Sequence, residues 1–134
     1  MRGVLLCWLM EVHQKYKLSS ETFFLTVSII DEFLKKESVS RNKLQLVGVT
    51  ALWIASKYHE TYQVPKLKNL ELLCDHAYRG QDILVMEGQI IQTIGFSLLT
   101  RPSALHHFEL LKHHAELTPR DYWLARYLLE ASIF

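Results

Sequence analysis

Apolar positions recur at intervals of three and four residues along nearly the whole chain, in seven stretches separated by short polar turns. Strict two-residue alternation occurs nowhere, so the pattern predicts an all-α fold. The first helix is expected from about Met1 to Tyr16. Ser19-Ser20 offers an N-cap and Glu21 favours the positive helix end, opening a second helix to about Lys36. Its Phe23, Val27, Ile30 and Leu34 form one stripe. Ser40 caps a third helix, which ends near Glu60. Pro65 suits the first turn of a short fourth helix carrying Leu67, Leu70 and Leu73. Asp82 opens a fifth, with Met86, Ile90, Ile91 and Ile94 inward and Gly95 placed to end it. Thr100-Arg101-Pro102 starts a sixth with Ala104, Phe108 and Leu111 on one face. Thr118-Pro119, an N-cap followed by proline at N1, starts a seventh.

The third helix stands out. It is apolar on all sides, and Gly48, Ala51 and Ala55 fall at i, i+3 and i+7, leaving one face nearly bare so that neighbouring backbones can approach. Such a helix belongs at the centre of a bundle. Lys57 ends it where core packing has no need of a cation. After Gly95 the remaining two helices cannot bury Phe108, Leu111, Tyr122, Trp123 and Leu128 by themselves. They are expected either to pack on the first five or to begin a second domain. The chain closes on Ala131-Ser132-Ile133-Phe134 without a polar tail, and it reads as a fragment.

Composition narrows the function classes. The chain has 134 residues, 49% apolar and 22% charged, with a formal net charge of +1 and no basic stripe of the kind that phosphate neutralisation leaves. Nucleic acid is therefore not an expected partner. The longest apolar run, Val4 to Met10, is far too short for a membrane span, and no signal peptide is evident. Cys7 and Cys74 lack metal-ligand spacing and read as buried thiols in preference to a disulfide, in a reducing compartment, the nucleus or the cytoplasm.

Catalytic chemistry is not indicated. His106, His107, His113 and His114 come as adjacent pairs about 10 Å apart along a helix, which does not suit one metal. Glu71, Asp75, Asp82 and Glu87 are scattered, and no nucleophile motif or phosphate loop occurs. No cofactor or metal is expected, and the chain is not expected to be an enzyme.

Binding is better supported. On the first helix Leu6, Leu9, Met10 and Val12 can serve a core, which leaves Met1, Val4, Leu5 and Trp8 as a second stripe. That stripe is either buried in a sandwich or exposed as a shallow patch for a short apolar peptide, with Glu11 one turn beyond to pair with a basic residue. Lys57 and Glu87 each interrupt or end an apolar helix. Each is either a solvated charge or, if helices three and five are neighbours, one half of a pair beside Ile54, Tyr58, Ile91 and Phe96.

These residues resemble the cyclin box. Met1-Arg2-Gly3-Val4-Leu5 looks like the cyclin MRAIL element, followed by Trp8-Leu9 and Glu11-Val12. Glu21-Thr22, Asp31-Glu32-Phe33-Leu34, the Lys43 to Gly48 segment, Ala55-Ser56-Lys57-Tyr58, Met86-Glu87 and Phe96-Ser97-Leu98 follow in cyclin order. The likeness runs essentially end to end and is nearest the mitotic B-type branch, with the A-type a near neighbour. It implies a first five-helix box over residues 1–97 and the first two helices of a second, incomplete box over 98–134. It also implies a regulatory subunit that binds and activates a cyclin-dependent protein kinase, in control of the G2/M kind. By that resemblance Lys57 and Glu87 hold the kinase around its C-helix, with Ile54, Tyr58, Ile91, Phe96 and Leu98 as the apolar surround. Met1, Val4, Leu5, Trp8, Glu11 and Gln45 match the patch that docks Arg-x-Leu substrates and inhibitors. The rival reading is a cyclin-fold interaction module that activates no kinase. Three places depart from the family pattern: Cys7 stands where many cyclins carry Asp, His59 replaces the first of two glutamates, and the Tyr62 to Leu67 connection has one proline.

Overall fold

In the computed structural model the chain folds into seven α-helices and two single 3-10 turns, with no strand, among the described residues. The structure describes residues 1–134, the side chain of His113 excepted. The helices are α1 (Arg2–Lys15), α2 (Ser20–Lys36), α3 (Leu44–His59), α4 (Leu67–Leu73), α5 (Gly80–Ile94), α6 (Ala104–His114) and α7 (Pro119–Ala131). None is long and apolar enough to cross a membrane.

Helix α3 is the axis of the fold: every residue from Leu46 to Ser56 is buried, and α1, α2 and α5 all pack against it. The bare stripe explains part of this. A Cβ on Gly48 would lie 2.7 Å from Leu5 Cδ1, so its absence lets α1 settle onto α3. Leu6, Leu9, Ile29, Ile30, Leu52, Leu70, Ile83 and Ile90 fill the space between the helices and are all but solvent-free. The buried indole of Trp53 donates to the Pro65 carbonyl at 3.1 Å, which satisfies its one polar group and fixes the loop after α3. Burial also pushes the Cys74 thiol up to about 11.

Local signals set several of the boundaries. Ser19 caps α2, its hydroxyl accepting from Thr22 N–H, and Thr118 caps α7 in the same way through Asp121 N–H. Gly95 ends α5 with φ at 73°, a conformation that favours glycine. Other boundaries differ from the sequence expectation. Ser40 precedes a 3-10 turn over Arg41–Lys43, and the α-helix begins only at Leu44. Pro65 lies outside α4, ahead of the Lys66 N-cap. Asp82 sits at the third position of α5 and accepts from Arg79 N–H at 2.8 Å, while a Glu71 carboxylate oxygen on α4 takes the Gly80 N–H. Ile91 is half-buried whereas Met86, Ile90 and Ile94 are buried. Cys7, expected to be buried, is exposed on the outer face of α1.

The last two helices pack on the rest without being absorbed. Helix α6 lies against α2, and α7 against α6. On α6 the inward residue is Leu105 rather than Ala104 or Leu111, which are exposed. Three polar ties cross the junction: Ser103 Oγ donates to Glu21 at 2.5 Å, Arg126 donates to Ser20 Oγ at 2.9 Å, and Arg2 donates to the Ile133 carbonyl at 2.8 Å. Leu111, Trp123, Leu124, Tyr127, Leu128 and Phe134 remain exposed.

Candidate partner-binding faces

The first face forms where α3 and α5 meet. The Lys57 ammonium, on the last turn of α3, donates to a carboxylate oxygen of Glu87 on α5. It also sits 3.7 Å from the centroid of the Trp53 ring, one turn back on the same helix. The two side chains stay 38% and 22% exposed, so in the free chain this is a half-solvated pair and not a buried one. The structure thus brings Lys57 and Glu87 together, the arrangement that helices three and five as neighbours required.

Tyr58, next to Lys57 in the chain, is 49% exposed, and Phe96, just past the end of α5, is 70% exposed. Gly95 turns the chain out of α5, and Phe96 emerges on the short 3-10 turn Phe96–Leu98. Ile91, one turn after Glu87 on α5, is half-buried. Ile54 and Leu98 are buried in the core, so they underlie this surface from within and do not present themselves on it. A cavity of about 490 Å³ adjoins Tyr58, its lining including His59, Leu98, Arg101, Pro102 and His106.

The second face lies at the start of α1. Met1, Val4, Leu5, Trp8 and Gln45 line one shallow cavity of about 200 Å³, together with Arg41 and Leu44. Met1 and Val4 are mostly exposed, Trp8 and Gln45 are half-buried, and Leu5 is buried as the floor. The second apolar stripe of α1 is therefore open at this end, not sandwiched. Glu11 is exposed one turn beyond Trp8 and does not line the cavity. Sequence reasoning missed Arg41 and Leu44. Arg41 precedes Gln45 by one helical turn, but that spacing gains meaning only once α1 is known to lie alongside.

Arg2 figures in the sequence only as part of the Met1–Leu5 element, with no contact of its own assigned. Its guanidinium binds both carboxylate oxygens of Asp31, at 2.8 and 2.9 Å, and this fork anchors the start of α1 to α2 beside the cavity. The same bond raises the Arg2 pKa further.

Residues 1–99 match the family described as "Cyclin, N-terminal domain". Over 133 residues the chain is 43% identical to the G2/mitotic-specific cyclin-B of Patella vulgata, covering 99% of this chain and 32% of that protein. It is 40% identical over 133 residues to the human G2/mitotic-specific cyclin-B2, again 99% of this chain and 33% of the relative. Cyclin-B2-2 of Oryza sativa subsp. indica is 55% identical over 98 residues, 73% of this chain and 23% of that protein. The chain thus spans about a quarter to a third of the length of the curated relatives it matches. With a matched domain over most of its length, and B-type relatives from animals and a plant, the chain belongs to the cyclin family and resembles its mitotic B-type branch.

Proposed function

We propose that this chain is the kinase-binding part of a B-type mitotic cyclin, acting in the nucleus and cytoplasm to bind and activate a cyclin-dependent protein kinase. On this reading residues 1–97 are the first cyclin box and 98–134 open the second. The observation that carries it is the Lys57–Glu87 pair, two charges held together across α3 and α5, with the exposed Tyr58 ring next to Lys57 in the chain. A pair so placed has open donor and acceptor positions on its outer side, suited to backbone carbonyls and N–H groups of a docked helix end. Tyr58, Ile91 and Phe96 supply apolar area around it, over Ile54 and Leu98.

The work done is a population shift. A lone kinase whose C-helix is rotated outward cannot bring its glutamate to the lysine that orients the ATP phosphates. A partner that binds the inward helix more tightly than the outward one stabilises the active arrangement by that difference in affinity. The chain itself moves no atoms of substrate. The shallow cavity over Leu5 adds a second task, holding Arg-x-Leu segments of substrates or inhibitors, with the apolar residue on Met1, Val4 and Trp8 and the arginine reaching toward Glu11.

The test is the activity of a purified cyclin-dependent kinase on a histone-like substrate, with and without this chain. Large stimulation that Lys57→Ala removes is the expected result. In the complex the partner covers the pair, and deleting one charge leaves the other unpaired in a dry interface, a loss of about 3–5 kcal/mol. In the free chain the same substitution removes a half-exposed pair, so urea unfolding should change by less than about 1 kcal/mol. Stimulation by the mutant equal to wild type would remove the pair from the mechanism. Absence of stimulation both by this chain and by one extended through a complete second box would favour an interaction module that activates no kinase.

A further inference from the structure

The Lys57 ammonium has a second neighbour besides Glu87, and it is a large one. Its nitrogen stands 3.7 Å from the centre of the Trp53 indole, within the range in which a ring's negative face attracts a cation. Trp53 and Lys57 are four residues apart on α3, so they share a face by helical geometry alone. The indole cannot drift. It is 9% exposed, packed in the core, and its Nε1–H donates to the buried Pro65 carbonyl at 3.1 Å. The ring thus lies against the lysine ammonium, and a Glu87 carboxylate oxygen accepts from the same ammonium.

A lysine ordinarily loses much rotamer freedom when one geometry is imposed on it at an interface. Here the free chain already sets the ammonium against a ring face and a carboxylate. We propose that Trp53 is a positioning residue for the kinase-facing lysine: it holds the Lys57 ammonium in the binding geometry before the partner arrives, and the loop bond to Pro65 holds Trp53. This rests on the kinase reading of the Lys57–Glu87 face. It adds a residue buried in the core and the loop that fixes it.

Two variants separate the indole's face from its bulk and its hydrogen bond. Trp53→Phe keeps an aromatic face and lacks the N–H; Trp53→Leu has no face. Kinase affinity is expected to fall about three- to tenfold in Trp53→Leu and by less than half of that, on a logarithmic scale, in Trp53→Phe. In a Lys57→Met background, Trp53→Leu should cause no further loss, because the cation it would position is gone. Equal loss with and without Lys57 would mean that Trp53 merely supports the fold, and the proposal would be overturned.

The free 134-residue chain gives a readout independent of any partner. The Lys57 ε-methylene protons, over an indole face, should resonate upfield of the other lysines, and Trp53→Leu should return them to the common position. Lysine resonances with no upfield pair in the wild-type chain would overturn the proposal outright. An upfield pair in a chain that binds no cyclin-dependent kinase would instead overturn the kinase reading, leaving the preset lysine geometry in place.

Discussion

At the scale of single residues, the charged groups do more to join elements than to decorate them. Glu60, just past α3, accepts from the Ser19 N–H at 2.7 Å and the Thr22 hydroxyl at 2.6 Å, so a carboxylate from one helix end sits on the N-terminus of another. Partial burial pushes its pKa up, but the bonds from Thr22 and Ser19 outweigh burial and hold it below the ordinary value. A carboxyl depressed on folding adds stability that is fully present above its unfolded pKa and is lost as pH falls through the folded one. Unfolding midpoints should therefore drop as pH is lowered past about 4.3. Glu60→Gln should flatten that drop and lower stability near neutrality by about 1 kcal/mol. An unchanged acid limb in the variant would show that other carboxyls set it. Lys57, by contrast, is half-exposed and contributes little to the free fold.

At the scale of elements, the close approach of α1 to α3 joins the fold to the shallow cavity over Leu5. Gly48→Ala would gain about 1 kcal/mol in helix propensity. Its Cβ, 2.7 Å from Leu5 Cδ1, would push the cavity floor outward. Displacing a packed leucine costs about as much as the propensity gains, so stability should stay within about 1 kcal/mol of wild type. Affinity for an Arg-x-Leu peptide, read by isothermal titration, should fall severalfold. Undiminished binding would detach Leu5 from the cavity's shape. The elements also show where sequence reading reaches. The starts of α2 and α7 and the end of α5 were legible because Ser19, Thr118 and Gly95 act on their own neighbours. The start of α5 was not, because it depends on Glu71 reaching Gly80 from another helix. The same division holds for the faces. Lys57 and Glu87 are visible as charges that an apolar helix does not require, whereas Trp53 and Arg41 gain their roles from distances that no local pattern encodes.

At the scale of the whole molecule, cohesion is uneven. Helix α3 is enclosed by three others, but α7 contributes no buried residue of its own and touches the rest mainly through α6. What holds its far end is Ile133, 8% exposed, together with the carbonyl bond that Ile133 accepts from Arg2. Arg126 adds a second tie to Ser20, and its pKa is raised first of all by the Tyr122 hydroxyl. Segments with few buried contacts open at lower free energy than the core, and their amides exchange by local opening. Amides of α7 should thus exchange far faster than those of α3. Ile133→Ala deletes the buried anchor at a cost of about 2 kcal/mol, drawn from the α7 opening alone if that opening is local. Protection in α7 should then fall by roughly thirtyfold while protection in α3 stays as it was. A parallel fall in both helices would mean that α7 unfolds only with the core, making residues 1–134 one cooperative unit and not a core with a tethered pair of helices.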